Sequence, residues 1–131
     1  MALNRAFDAG TLSGLRKAVL AEAAAAGMPG DRAADVMLAV HELAANAVRH
    51  GAGHGRLRLW ADGQALHCQV TDDGLAAQDH AKLDTAAWGR EHGHGLWIID
   101  KVADQVIMDR ARFGTTVTVT FRFSSRRQLD E

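Results

Sequence analysis

The sequence predicts an α+β fold, a single two-layer sandwich in which one mixed, mostly antiparallel sheet carries about three helices on one face. Two segments with the apolar periodicity of helices come early in the chain, at about residues 11–26 and 31–50. Two hairpin patterns of alternating apolar and polar residues lie near 56–71 and 106–123. A third helical segment stands between these hairpins. Helices clustered with hairpin strands in this way indicate one sheet covered by helices on one side.

The first two helices are bounded by clear start and stop residues. Thr11 is a suitable N-cap for the first helix, and the glycine- and proline-containing stretch 27–30 ends it. Its apolar residues share one face: Leu12, Leu15, Val19 and Ala23. The second helix is predicted to begin near Asp31, with Gly51 placed to cap its C-terminus. Its apolar stripe comprises Ala33, Val36, Met37, Val40, Ala44, Ala47 and Val48.

The next two segments alternate with a period of two residues, which is typical of strands that bury one face. The inward residues are Leu57, Leu59 and Ala61 in the first strand and Leu66, Cys68 and Val70 in the second. Asp62-Gly63 between the strands is a signal for a two-residue hairpin. The alternation puts Asp72 on the face of Val70, against the helices. A carboxylate is costly there unless a partner satisfies it.

The rest of the chain completes this pattern. Residues 75–92 have no sustained period and are expected to form a loop with at most one helical turn. Gly95 opens the third helix. Segments 106–109 and 115–123 are predicted to form the final hairpin, and alternate residues of the second segment share one face.

The length and composition are those of one folded domain. A chain of 131 residues is long enough for one core, and 47% hydrophobic residues with 24% charged residues are typical of a globular protein. The polar residues 124–131 are expected to fray. The sequence therefore predicts a single domain over 1–131, with its core at about 11–123.

Charge and cysteine content exclude several classes of function. A net charge of −1 argues against nucleic-acid binding driven by phosphate neutralisation. No apolar run approaches the length of a membrane span, and no signal-peptide pattern opens the chain. The single cysteine, Cys68, excludes an internal disulfide and fits a reducing compartment. These features predict a cytoplasmic protein without nucleic-acid or membrane partners.

The stretch 41–51 carries the most informative motif. It places Glu42 and Asn46 four residues apart on an apolar helical background, so the two side chains lie one above the other on a single helix face. A carboxylate can take a proton from a nucleophile. A neutral amide oxygen suits a hard cation such as Mg²⁺. An ordinary solvated pair has the same spacing, and the motifs that follow decide between these interpretations.

Three glycine-containing motifs follow in order: Asp72-Asp73-Gly74, Gly93-His94-Gly95-Leu96 and Gly114-Thr115-Thr116. Together with the Glu42/Asn46 pair, this order resembles the Bergerat-fold ATPases of the GHKL superfamily, and most of all the bacterial anti-sigma-factor serine kinases. The pair matches the N box of that family, and the three motifs match its glycine boxes in turn. The resemblance runs from about residue 11 to 123. Ala76 departs from it, since the family often has a glycine there.

The resemblance implies a Bergerat-type sandwich that binds ATP and Mg²⁺ between the helices and the sheet. Asn46 would hold Mg²⁺, and Asp72 would accept a hydrogen bond from the adenine amine. The residues that would line the rest of the nucleotide site are Gly74, Arg90, Gly93, His94, Gly95, Leu96 and Thr115. The free N–H groups of a helix that begins at Gly95 favour anions such as phosphate.

The resemblance also implies an activity and its partners. Glu42 would act as the base toward a serine hydroxyl of a partner anti-anti-sigma (STAS) protein, which would receive the terminal phosphoryl group. The competing partner would be a sigma factor, and family members of this size are often homodimers. Phosphorylation of the STAS protein would free the kinase to hold the sigma factor.

Other interpretations stay open at this point. A binding module that sequesters a sigma factor or another regulator without phosphoryl transfer needs the same fold, although it does not need Glu42. The chain could also be the catalytic half of a histidine kinase, but it has no room for the dimerisation helices that carry the phosphoacceptor histidine. Asp72 also suits an ordinary turn, and Arg90 suits a solvated loop. A zinc site at the histidine pairs 50/54 or 92/94 lacks a cysteine or acidic partner at standard spacing.

Overall fold

A computed structural model describes residues 3–50, 53–72, 95–111 and 114–123. In these ranges the elements are, in chain order, β1 (Leu3–Asp8), a 3₁₀ turn (Ala9–Thr11), α1 (Leu12–Ala25), α2 (Gly30–His50), β2 (His54–Ala61), β3 (Ala65–Asp72), α3 (Gly95–Val102), β4 (Gln105–Ala111) and β5 (Gly114–Arg122). The predicted loop 75–92, the predicted cap Gly51 and the tail 124–131 lie outside the described residues.

The five strands form one sheet in the order β1-β2-β3-β5-β4, and each of the four pairings is antiparallel. α2 packs against β2, β3 and β5, and it contacts α1 and α3. The predicted α+β sandwich is therefore confirmed. Among the described helices, none combines the length and the apolar character needed to cross a membrane.

The core follows the predicted alternation of the strands. The helix-facing residues of the three central strands are buried: Leu57, Leu59, Leu66, Cys68, Val70, Val117, Val119 and Phe121. They meet a stripe along α2 that includes Val36, Ala39, Val40, Leu43 and Ala44. Burying a side chain of this size contributes on the order of 1.5–3 kcal/mol. The predicted inward faces of β2, β3 and β5 are confirmed except at Ala61, the last residue of β2, which is exposed.

Two features at the N-terminus were not predicted. No element is predicted from the sequence before Thr11, but β1 pairs with β2 and buries Phe7. Thr11 precedes α1 without making a side-chain cap. Its hydroxyl instead accepts from the backbone N–H of Asp8 at 2.9 Å, and the Asp8 carboxylate accepts from the N–H of Gly10 at 2.9 Å. The polar residues around Thr11 therefore stabilise the 3₁₀ turn that joins β1 to α1.

The end of α1 was predicted correctly, whereas the hairpin turn differs in detail. Gly27 has φ +99°, in the left-handed region, and the N–H of Met28 donates to the carbonyl of Ala23 at 3.1 Å. The hairpin between β2 and β3 has Gly63 and Gln64 at its tip rather than Asp62-Gly63, because Asp62 pairs with Ala65. The Asp62 carboxylate accepts from the N–H groups of Gln64 and Ala65, so it stabilises the turn without a left-handed glycine.

Candidate functional site

The C-terminal half of α2 supplies the first two candidate residues. Glu42 is half-buried, and Asn46, one turn further along, is only 2% exposed. Among the described residues, Asn46 is the only polar side chain in the buried set. A buried polar group without full hydrogen bonding costs free energy, so an amide at this position calls for a partner.

The hydrogen bonds of Asn46 are half complete. Its Oδ1 accepts from Nη2 of Arg49 at 2.9 Å. Its buried Nδ2 has no hydrogen-bond partner within the part of the chain that the structure describes. Nδ1 of His41, one residue before Glu42, is also buried and unpartnered there. Unsatisfied buried polar atoms are rare in folded proteins, and they often mark sites that a ligand completes.

Asp72 lies at the end of β3 on the helix-facing side of the sheet. It is half-buried and pairs in register with Gly55 of β2 and Thr115 of β5. Residues paired directly across antiparallel strands share a face, so Asp72 and Thr115 are neighbours. The face predicted for Asp72 is therefore confirmed, and its role in binding adenine stays a prediction.

Gly55 beside Asp72 is required by close packing. A Cβ at this position would lie 2.5 Å from the carbonyl oxygen of Thr71 and 2.7 Å from the ring of Phe7. The Phe7 ring therefore crosses β2 next to Asp72, where any larger residue than glycine would displace it. A glycine inside a strand pattern often marks such a close approach of another group, so this contact of Gly55 could have been predicted from the sequence.

Asn46 and Asp72 lie at the same end of the sandwich. The carbonyl of Ala47, next to Asn46, accepts from the N–H of Gly53 at 3.3 Å. Gly53 stands two residues before Gly55, the register partner of Asp72. The backbone from Gly53 to Gly55 therefore connects the end of α2 that carries Asn46 with the end of β3 that carries Asp72.

The end of α3 is held at the first turn of α2. Nη1 of Arg32, in the first turn of α2, donates to the carbonyl of Val102, the last residue of α3, at 3.1 Å. α3 also packs on α2. Eight residues of helix span about 12 Å, so α3 extends by that length from its contact with Arg32. α3 begins at Gly95 as predicted.

Several predicted site residues cannot be placed in this arrangement. Gly74, Arg90, Gly93 and His94 lie outside the described residues. Leu96 belongs to the first turn of α3. The structure thus places Asn46, with Glu42 one turn before it, at the same end of the sandwich as the paired residues Asp72 and Thr115. The roles of all the predicted residues stay predictions.

The donor set fits Mg²⁺ in kind. An amide oxygen is a ligand that a hard divalent cation accepts, and Asn46 presents one beside the half-buried Glu42. The unpartnered Nδ2 of the same amide fits an acceptor from outside the described residues, such as an oxygen of a bound ligand. Within the described ranges, no group of three His, Cys, Asp or Glu side chains is arranged to hold a metal ion by itself.

Two perturbed groups lie away from this end and serve the fold. Burial raises the pKa of the Cys68 thiol to about 12, so it stays protonated and unreactive at neutral pH. A hydrogen bond from His67, with further bonds from the N–H groups of Gln64 and Ala65, lowers the pKa of Asp62 to about 2. The His67 ring also stacks on Trp60 with centroids 5.4 Å apart, so the outward tryptophan has an internal contact.

Comparisons with known proteins agree with the fold described above. The family of histidine kinase-like ATPase domains matches residues 6–121. SiaB–SiaC from Pseudomonas aeruginosa contains a structurally similar chain with a TM-score of 0.61 and 14% identity, covering 89% of this chain and 88% of that chain. The structure of the RsbU and RsbW domains of Rv1364c from Mycobacterium tuberculosis aligns with a TM-score of 0.64 and 21% identity, covering 92% of this chain. This chain spans only 32% of that longer one. No curated protein matches significantly.

Proposed function

The chain belongs to the histidine kinase-like ATPase family, and on that premise we propose that it binds Mg·ATP and phosphorylates a serine of a partner anti-anti-sigma (STAS) protein. In this proposal Asp72 binds the adenine amine, Asn46 binds Mg²⁺ and Glu42 takes the proton of the serine hydroxyl. The start of α3 and the glycine-containing residues before it hold the phosphates. Sigma-factor binding, homodimerisation and a cytoplasmic location belong to the same proposal.

The observation that carries the proposal is Asn46 itself. An amide that is 2% exposed, and whose Nδ2 has no partner among the described residues, costs free energy in a helix that otherwise buries apolar side chains. Packing alone would favour an apolar residue there. A metal and a phosphate oxygen would satisfy both ends of the amide, and Asp72 at the same end of the sandwich provides the carboxylate that adenine requires.

Two structural neighbours support a protein partner for this chain. One structural neighbour, SiaB, is seen in complex with a second protein, SiaC. Another neighbour contains an RsbW domain joined in one chain to an RsbU domain. Both alignments are below 25% identity, so they establish the shared fold, and the partner of this chain rests on the proposal.

The test is single-turnover phosphorylation with labelled ATP, Mg²⁺ and the STAS protein encoded nearest the gene of this chain. Glu42→Gln keeps the shape of the side chain and removes most of its basicity, so transfer should fall by about 10²–10⁴. Affinity for ATP and for the partner should stay close to wild type. Glu22→Gln in α1, another half-buried glutamate, is the matched control and should transfer at the wild-type rate.

The outcomes separate the two functions that the sequence leaves open. Transfer by wild type and a loss in Glu42→Gln support the kinase. Tight sigma-factor binding without transfer to any STAS protein would instead favour the non-catalytic binding module. Transfer at an equal rate by wild type and Glu42→Gln would leave the kinase intact and remove Glu42 as its base.

A further inference from the structure

Arg49 makes a contact that the proposed function does not use. Its guanidinium reaches from an exposed position on α2 to Oδ1 of Asn46 at 2.9 Å. A guanidinium only donates, so the atom it meets must be the oxygen of the amide and not the nitrogen. The contact therefore fixes which way the buried amide points.

This oxygen is the atom that Mg²⁺ would need. Mg²⁺ binds oxygen ligands at about 2.0–2.1 Å. A guanidinium held on the same oxygen would place a second positive charge a few ångströms from the metal, and like charges at that distance repel each other. The two cations therefore compete for one oxygen.

We propose that Arg49 is a stand-in for the metal, occupying Oδ1 of Asn46 in the metal-free protein and leaving it when Mg²⁺ binds. This inference rests on the proposed function, because it takes Asn46 as the magnesium ligand. Arg49 holds the amide oriented for the metal, and it weakens metal affinity because its bond must first be broken. Its exposed position makes the exchange easy, since the displaced guanidinium returns to water.

The size of the effect follows from the bond that is exchanged. A hydrogen bond to a charged group is among the stronger ones in proteins. Arg49→Met keeps a long side chain but removes both the donor and the charge. We expect it to lower the Mg²⁺ concentration needed for half-maximal nucleotide binding by about tenfold, which corresponds to about 1.4 kcal/mol.

The experiment is calorimetric titration with ADP at a series of Mg²⁺ concentrations, and in EDTA, on wild type and Arg49→Met. Arg58→Met is the matched control, because it removes one positive charge from an exposed arginine of β2 that contacts Gln69. Arg58→Met should show the wild-type dependence on Mg²⁺. Thermal melting without ligand is a second readout: Arg49→Met should melt at a lower temperature than wild type, and Mg·ADP should raise its melting temperature by more than it raises that of wild type.

The outcomes distinguish this inference from the proposed function. Mg²⁺-dependent binding in wild type with an unchanged Mg²⁺ requirement in Arg49→Met overturns the inference alone. Weaker ADP binding by Arg49→Met in EDTA also overturns it, because Arg49 would then contact the nucleotide directly. Absence of Mg²⁺-dependent binding in wild type overturns both the inference and the proposed function.

Discussion

At its first turn α2 buries the guanidinium of Arg32, and near its last turn it buries the amide of Asn46. The Arg32 side chain is surrounded by protein partners: the Asp104 carboxylate at 2.6 Å, the carbonyl of Val102 at 3.1 Å and the Phe121 ring at 5.4 Å. In the part of the chain that the structure describes, the hydrogen-bond partner of Asn46 is Arg49, which is exposed. Nε of Arg32 also lacks a hydrogen-bond partner within the described ranges, but several protein groups hold the rest of the guanidinium, whereas the Asn46 amide depends on one exposed side chain.

The difference separates a structural cluster from a candidate binding site. The Arg32 cluster links the start of α2 to the end of α3, and Asp104 also accepts from the N–H of Arg122 in β5 at 2.7 Å. It fastens three elements together. The Asn46 end also combines residues of three elements: Asn46 of α2, Asp72 of β3 and Thr115 of β5. Their side chains do not form a closed cluster like that of Arg32 within the described residues. Variants at the Arg32 end should therefore change stability, and variants at the Asn46 end should change ligand binding.

The largest effect is expected for Arg32→Met. It leaves the carboxylate of Asp104, whose side chain is 11% exposed, without its ionic partner. Removing one partner of a buried ion pair is strongly destabilising, so the free energy of unfolding should fall by about 3–5 kcal/mol. Urea denaturation measures the loss, and Arg16→Met on the exposed face of α1 is the control. A loss below about 1 kcal/mol, which is the contribution of a surface ion pair, would contradict a structural role for the Arg32–Asp104 pair.

Asp72→Asn should act on the ligand instead. The amide keeps the size of the side chain but loses the charge that would accept the adenine amine. The affinity for ATP should fall by about 1–3 kcal/mol, the range for a hydrogen bond to a charged group. Calorimetry on the folded variant measures the change. The control is Asp109→Asn, an exposed residue of β4, which should bind ATP as wild type does. Unchanged affinity in Asp72→Asn would exclude it as the adenine ligand.

Asn46→Ala gives the sharpest contrast with Arg32→Met. The free energy of unfolding should stay within about 1 kcal/mol of wild type, because Nδ2 of Asn46 has no partner within the described ranges and alanine is the better helix former. Mg²⁺-dependent ATP binding should be lost. Urea denaturation and calorimetry on the same preparation test both statements. A loss of several kcal/mol would show that the amide serves the fold, and the two ends of α2 would then be alike.

The same comparison shows what a sequence can predict. The alternation of β2, β3 and β5 and the stripe of α2 predicted the buried faces, including that of Asp72, because each pattern is local. β1 was missed because Phe7 is its only fully buried residue, so it shows little alternation. The Arg32–Asp104 pair spans 72 positions, and no local pattern reveals it. Arg49 resembles any solvated arginine until the fold places it beside a buried amide.

The smallest effect is expected at the turn between β2 and β3. The pKa of Asp62 is lowered from 3.8 to about 2 in the folded protein. A carboxylate with a depressed folded pKa contributes stability above its unfolded pKa, and this contribution is lost as the pH falls from about 4 toward 2. Wild type should therefore lose more stability than Asp62→Asn over this interval, and the difference between them should shrink toward pH 2.

Denaturation of both proteins at a series of pH values measures the difference, with Asp109→Asn as a control for the loss of one carboxylate. The effect should be small, because Asp62 is exposed and solvent screens its contact with His67. ATP affinity at neutral pH should not change, because Asp62 lies at the opposite end of β3 from Asp72. A change in ATP affinity would mean that the two ends of the sandwich are coupled. It would contradict the prediction that variants far from the Asn46 end change only stability.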